Sequence, residues 1–146
     1  MDIKRNILLN PGPATTTDTV KRAQLVPDIC PREREFGALM RELGIDLLKV
    51  VHANEVEWTT VLFCGSGTIC MDACVSSLIG ADGKLLIVNN GAYSARAAEM
   101  ARAYSVPHID LTFPVDGLPD LAVVERTLDE NPDITAVYTT HQETGT

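Results

Sequence analysis

The chain has 146 residues, 45% hydrophobic and 22% charged, and its 20 acidic against 12 basic side chains give a formal charge of -8. That apolar share excludes a disordered chain, and the length suits one domain or part of a larger one. The acidic balance argues against a general nucleic-acid or polyanion surface but leaves room for a local anion pocket.

The N-terminal stretch, residues 1–32, reads as an arm. Asn10-Pro11-Gly12-Pro13 is rigid and cannot be helical. The apolar run Ile7-Leu8-Leu9 is too short for a signal-peptide core. The longest apolar runs, such as Lys84 to Val88, are strand-sized, far below the roughly 20 residues that span a bilayer. The expected compartment is therefore cytoplasmic. Cys30, Cys64, Cys70 and Cys74 form no Cys-x-x-Cys pair and show no zinc spacing with His52, His108 or His141. Cys70 and Cys74 lie one helical turn apart, yet small core thiols of a reducing compartment are the better reading, and no metal site is expected.

The clearest helical pattern covers residues 33–51. Phe36, Leu39, Met40, Leu43, Leu47, Leu48 and Val51 share one face, and Arg34, Glu35, Arg41, Glu42 and Asp46 lie elsewhere. Trp58 to Phe63 reads as a strand that breaks at Cys64-Gly65-Ser66-Gly67-Thr68, where a helix begins. Lys84 to Asn89 is apolar enough for a strand buried on both faces. Asn90-Gly91 breaks it, and the alanine-rich residues 92–104 are helical. Val106 to Leu111 is a strand, residues 118–131 a helix with Pro119 and Asp120 suited to its first turn, and Ile134 to Thr140 a strand. The order β-α-β-α-β-α-β from residue 58 predicts an α/β domain with a mostly parallel sheet and alternating helices. Because a covering helix normally follows such a last strand, the end at Thr146 reads as that of a fragment.

Three loops carry candidate chemistry. Gly65-Ser66-Gly67-Thr68 opens a helix whose first N–H groups have no internal partner, and two hydroxyls stand beside them, so it can seat a phosphate. It also fits a simple strand-to-helix connection. It is not a P-loop, and the third glycine of the dinucleotide fingerprint is missing. Tyr93, after Asn90-Gly91-Ala92, can cover a planar ligand, although packing on a neighbour is commoner for a tyrosine at a helix start. Arg96 can meet an anion or be solvated. His141-Gln142-Glu143-Thr144 follows the last strand, and its His and Glu suggest acid–base work, against the commoner structural histidine. All three loops fall at the carboxyl edge of a parallel sheet. A phosphate seat, an aromatic plate and a polar wall there suit a flat phosphorylated cofactor, pyridoxal phosphate or flavin mononucleotide.

Leu8 to Pro13, Thr15-Thr16-Thr17, Gly65 to Thr68, Val88 to Tyr93 with Arg96, and His141 to Thr144 occur in that order, with Asp28 to Arg32 between. In this the chain resembles the amino-terminal part of the 2-aminoethylphosphonate–pyruvate aminotransferase family, class V members of the fold-type I pyridoxal-phosphate-dependent enzymes. Alanine–glyoxylate and serine–pyruvate aminotransferases share much of the pattern. The resemblance implies that residues 33–146 are part of the cofactor-binding large domain. It implies that Ser66, Gly67 and Thr68 hold the pyridoxal 5'-phosphate group, that Tyr93 stacks on the ring, and that Thr144 approaches the ring substituents. Gly12, Pro13 and Thr15 would lie near the substrate entrance. The reaction implied takes 2-aminoethylphosphonate and pyruvate to phosphonoacetaldehyde and alanine, in a homodimer.

The family's Schiff-base lysine, its ring-pairing aspartate and the arginine for a substrate's acid group are expected beyond Thr146. Lys4, Lys21, Lys49 and Lys84 are poor replacements, so no catalytic residue is assigned and the chain alone is expected not to transaminate. Ser94, where glycine is common, and Gly145, where a hydroxyl residue is common, depart from the family pattern. A non-catalytic α/β module for a phosphorylated ligand and an inert structural fragment are the competing expectations.

Overall fold

A computed structural model describes residues 6–10 and 12–144. The sequence readings that involve Lys4, Pro11 and Gly145 fall outside these residues. The chain forms two compact units, one of residues 15–64 with 6 and 7, the other of residues 8–14 and 65–144.

The first unit is helical. Helix α1, Asp18–Ala23, starts where the Thr17 hydroxyl accepts the Val20 N–H. Helix α2, Arg34–Val50, follows the pattern predicted for residues 33–51. Its apolar stripe is only partly covered. Leu48 is buried, whereas Leu39, Leu43 and Leu47 stay exposed. A cleft of about 260 Å³ runs beside α2, lined by Met40, Leu48, Trp58 and Thr60 among others. The predicted strand at residues 58–63 does not form. A strand exists only through a ladder partner, and here the segment is held by α2 instead, with Thr60 Oγ1 donating to the Gly44 carbonyl at 2.8 Å.

The second unit is α/β. Helix α3 spans Gly67–Ser77, strand β1 Lys84–Asn89, helix α4 Ala92–Ala103, strand β2 His108–Thr112, helix α5 Leu121–Glu130 and strand β3 Ile134–Thr139. The sheet order is β2-β1-β3 with both pairings parallel, as the alternating pattern predicts. Strand β1 lies in the centre, so its residues from Leu85 to Asn89 are buried, and this explains its continuous apolar run. The core joins Leu85 and Ile87 to Val75 of α3 and to Ala97, Ala98 and Ala101 of α4. The three alanines are fully buried, and their small side chains let α4 lie close on the sheet. Parallel strands joined through helices bring the carboxyl ends of β1, β2 and β3 to one edge.

Candidate functional site

Thr68, Tyr93 and Thr144, three of the predicted cofactor residues, are linked to one another near that edge through Arg96 and Glu143. Helix α3 begins with Ser66 as its N-cap, and the Ser66 side chain makes no capping hydrogen bond. Its hydroxyl and the N–H groups of Gly67 and Thr68 stand at the same end of α3. A Cβ placed on Gly67 would meet no atom within 4 Å, so the approach to this helix end is open. A phosphate fits such an end because it accepts from several N–H groups and faces the positive pole of the helix.

Arg96 ties this seat to the aromatic plate. Its Nη1 donates to Thr68 Oγ1 at 3.4 Å. Its guanidinium carbon lies 5.2 Å from the centroid of the Tyr93 ring, within the range of a cation–π contact. The two residues are one helical turn apart on α4, which places both side chains on one face. The sequence left Arg96 between an anion contact and solvation. The structure gives it two neighbours, both of them predicted cofactor residues.

The loop after β3 forms the third wall. Glu143 accepts the Tyr93 N–H on Oε2 at 3.2 Å and the Thr144 N–H on Oε1 at 2.9 Å. Its carboxylate thus caps the N-terminus of α4, where negative charge is favoured. His141 is exposed. The acid–base reading of the His-x-Glu pair meets a different arrangement, with the glutamate oxygens engaged by backbone N–H groups.

Beneath these loops lies a closed ring of hydrogen bonds. Ser94 is fully buried, and its hydroxyl donates to Asn90 Oδ1 at 3.0 Å. With its only proton given to Asn90, Ser94 accepts from Thr140 Oγ1 at 2.8 Å. Asn90 Nδ2 donates back to the Thr140 carbonyl at 3.2 Å. The ring joins the end of β1, the first turn of α4 and the end of β3. Asn89, also buried, donates through Nδ2 to Asp110 Oδ1 of β2 at 2.8 Å.

Ser66, Gly67, Thr68, Tyr93 and Thr144 therefore all belong to the second unit. Gly12 and Pro13 belong to it too, as exposed residues. Thr15 belongs to the other unit, where its Oγ1 donates to the Asn6 carbonyl at 3.5 Å. The sequence reading missed the roles of Glu143 as a cap and of Ser94 as a buried link. Ser94 carried a signal, a hydroxyl where the resemblance expects glycine.

Among the described residues the lysines stand elsewhere. Lys84 opens β1 at the amino end, where Nζ pairs with Asp133 at 2.8 Å. Lys84 is the first of the six residues of β1, so the carboxyl end of the strand is about 17 Å away at the usual rise. Lys21 and Lys49 belong to the other unit and face Asp18 and Asp46 of their own helices. No group of three or more His, Cys, Asp or Glu among the described residues could hold a metal ion. No helix there is long and apolar enough to cross a membrane.

No protein-family model matches the chain. A bifunctional phosphonoacetaldehyde hydrolase/aminoethylphosphonate transaminase of Clostridioides difficile is 39% identical over 96% of the chain, which spans 22% of that protein. A 2-aminoethylphosphonate–pyruvate transaminase of Lactiplantibacillus plantarum is 36% identical, again over 96% of the chain and 38% of its own length. The crystal structure of a pyridoxamine–pyruvate aminotransferase from Mesorhizobium loti superposes with a TM-score of 0.82 at 23% identity, covering 95% of this chain and 35% of that one. At that identity the last comparison speaks for the fold. The chain spans well under half the length of each. It is thus related, over nearly its whole length, to the amino-terminal part of the 2-aminoethylphosphonate–pyruvate transaminases, and it has the fold of the corresponding part of an aminotransferase.

Proposed function

We propose that the chain supplies the phosphate seat and ring cover for pyridoxal 5'-phosphate in a 2-aminoethylphosphonate–pyruvate transaminase. One observation carries the reading. Arg96 links Thr68 at the start of α3 to Tyr93 at the start of α4, so a helix-end anion seat and an aromatic plate share one edge.

In this reading the Ser66 and Thr68 hydroxyls and the first α3 N–H groups, that of Gly67 included, bind the phosphate dianion. Arg96 adds positive charge beside it. The Tyr93 ring covers the cofactor plane, and Thr144 stands beside the ring substituents. When bound, the cofactor supplies a carbonyl that takes up the amino group and a ring that draws electron density from the substrate carbon. The protein's part is binding, orientation and exclusion of water. Gly12, Pro13 and Thr15 are assigned to the substrate entrance by resemblance, residues 1–32 to an arm and 33–146 to the large domain. The substrates proposed for the whole protein are 2-aminoethylphosphonate and pyruvate, in a cytoplasmic homodimer. Alanine–glyoxylate or serine–pyruvate exchange is the alternative on the same site.

The chain by itself is proposed to bind without turnover. Lys84, the described lysine of the second unit, stands at the wrong end of β1 and is paired with Asp133. That also favours the second reading, a binding module for a phosphorylated ligand. Competition experiments separate the readings. Pyridoxal phosphate should bind saturably, inorganic phosphate should compete, and pyridoxal lacking the phosphate should bind more weakly. Alanine should not accumulate when 2-aminoethylphosphonate and pyruvate are added. Equal binding of pyridoxal and pyridoxal phosphate would contradict the phosphate seat, and steady alanine formation would contradict binding without turnover.

A further inference from the structure

Glu143 lies where the loop after β3 meets the start of α4. One carboxylate oxygen accepts from Tyr93 N and the other from Thr144 N. These two residues are the proposed ring cover and the proposed contact to the ring substituents, and they are far apart in sequence. Gly91 makes the contact possible. A Cβ there would stand 2.7 Å from Glu143 Cγ and 2.8 Å from Cδ, and closer still to Oε2. A side chain fits there only if the Glu143 side chain shifts away from the Tyr93 N–H. Gly91 has an extended backbone, so its glycine serves space rather than a left-handed turn.

We propose that Glu143 is a positioning residue, which fixes the α4 start and the loop after β3 in one frame and so sets Tyr93 against Thr144 around a planar ligand. The inference rests on the cofactor reading for what the frame holds, but the frame itself can be tested without ligand. The carboxylate suits the task because it accepts two N–H bonds at once and its charge faces the positive helix end. A neutral amide in its place offers a single acceptor oxygen. The Asn90–Ser94–Thr140 ring pins the same two segments one layer lower. Loss of Glu143 should therefore loosen the frame without unfolding the sheet.

The test uses the full chain as wild type, Gly91→Ala, Glu143→Ala, the double variant and Glu143→Gln. Without ligand, amide hydrogen exchange at Tyr93 and Thr144 should accelerate in Glu143→Ala and recover partly in Glu143→Gln. Gly91→Ala should lower the thermal midpoint in the wild-type background and much less in the Glu143→Ala background, because the clash is with Glu143 itself. With ligand, Glu143→Ala should weaken pyridoxal phosphate binding by roughly tenfold, the scale of one unsatisfied amide. Additive Gly91 and Glu143 effects, or unchanged exchange at Tyr93, would overturn the proposal. So would intact cofactor affinity in Glu143→Ala. A wild-type chain that shows the coupling but binds no pyridoxal phosphate would sink the cofactor reading and leave the positioning role of Glu143 standing.

Discussion

Arg96 lies over Tyr93, its guanidinium carbon 5.2 Å from the ring centroid, while its Nη1 reaches Thr68 Oγ1 at 3.4 Å. An exposed cation–π contact of this kind contributes about 0.5–1 kcal/mol. Stability should therefore respond little to Arg96→Ala, by no more than about 1 kcal/mol in urea unfolding. Phosphate competition should respond more. The variant should lose affinity for inorganic phosphate while keeping its circular-dichroism spectrum. Unchanged phosphate affinity would show that Arg96 serves Tyr93 alone.

Ser94 has no surface exposure and closes the ring with Asn90 and Thr140. Ser94→Ala leaves two buried polar groups short of a partner, at a cost of roughly 1–3 kcal/mol. Ser94→Gly should cost at least as much, since it removes the same hydroxyl and adds backbone freedom to the helix. Chemical denaturation of both variants measures this. A neutral Ser94→Ala would mean that water replaces the hydroxyl without loss.

Much of the α/β unit was legible in the sequence. Strand β1 matches the predicted residues because a central parallel strand is apolar on both faces and bounded by Gly80 to Gly83 and Gly91. The helix predicted for residues 118–131 starts later, at Leu121, with Asp120 as its N-cap rather than in its first turn, where the Asp120 side chain accepts the Ala122 N–H at 2.9 Å. The segment at residues 58–63 misled, because β propensity says nothing about an available ladder partner. Helix α1 was missed because the prolines around it read as a rigid arm, although Thr17-Asp18 is a usable helix start. Ser94 stood out as a departure from the family pattern, but the partners of Ser94 and Glu143 were illegible for a topological reason. Each joins α4 to the loop after β3, segments brought together only by the parallel pairing of β1 with β3.

Two ionisable pairs should give opposite pH limbs. The hydrogen bond from Lys84 holds the Asp133 carboxyl below its ordinary range. Its contribution is therefore complete above the unfolded carboxyl value and disappears as pH falls through the lower folded one. Tyr104 donates to Asp72, and that hydrogen bond, with the carboxylate's charge, raises the tyrosine above its ordinary value. Its contribution is complete below the unfolded tyrosine value and is lost as pH rises through the folded one. Stability measured against pH should lose its acid slope in part in Asp133→Asn and its alkaline slope in part in Tyr104→Phe. Unaltered slopes would contradict both assignments.

Strands β2 and β3 flank β1 as the outer strands of the sheet. Leu9, Val56, Leu118 and Leu121 stay mostly exposed, as do Trp58 and Val61. Open strand edges and scattered large apolar side chains favour association. Sedimentation of the chain should show species heavier than 15.8 kDa whose share grows with concentration. A clean monomer at high concentration would count against this.

A pyridoxal phosphate titration of the purified chain beside Thr68→Ala and Tyr93→Ala tests the cofactor site at the starts of α3 and α4. Saturable binding is expected in the wild type, weakened in both variants, with all three folded by circular dichroism. Wild-type binding that survives both substitutions would place the cofactor elsewhere and contradict the site described at the starts of α3 and α4.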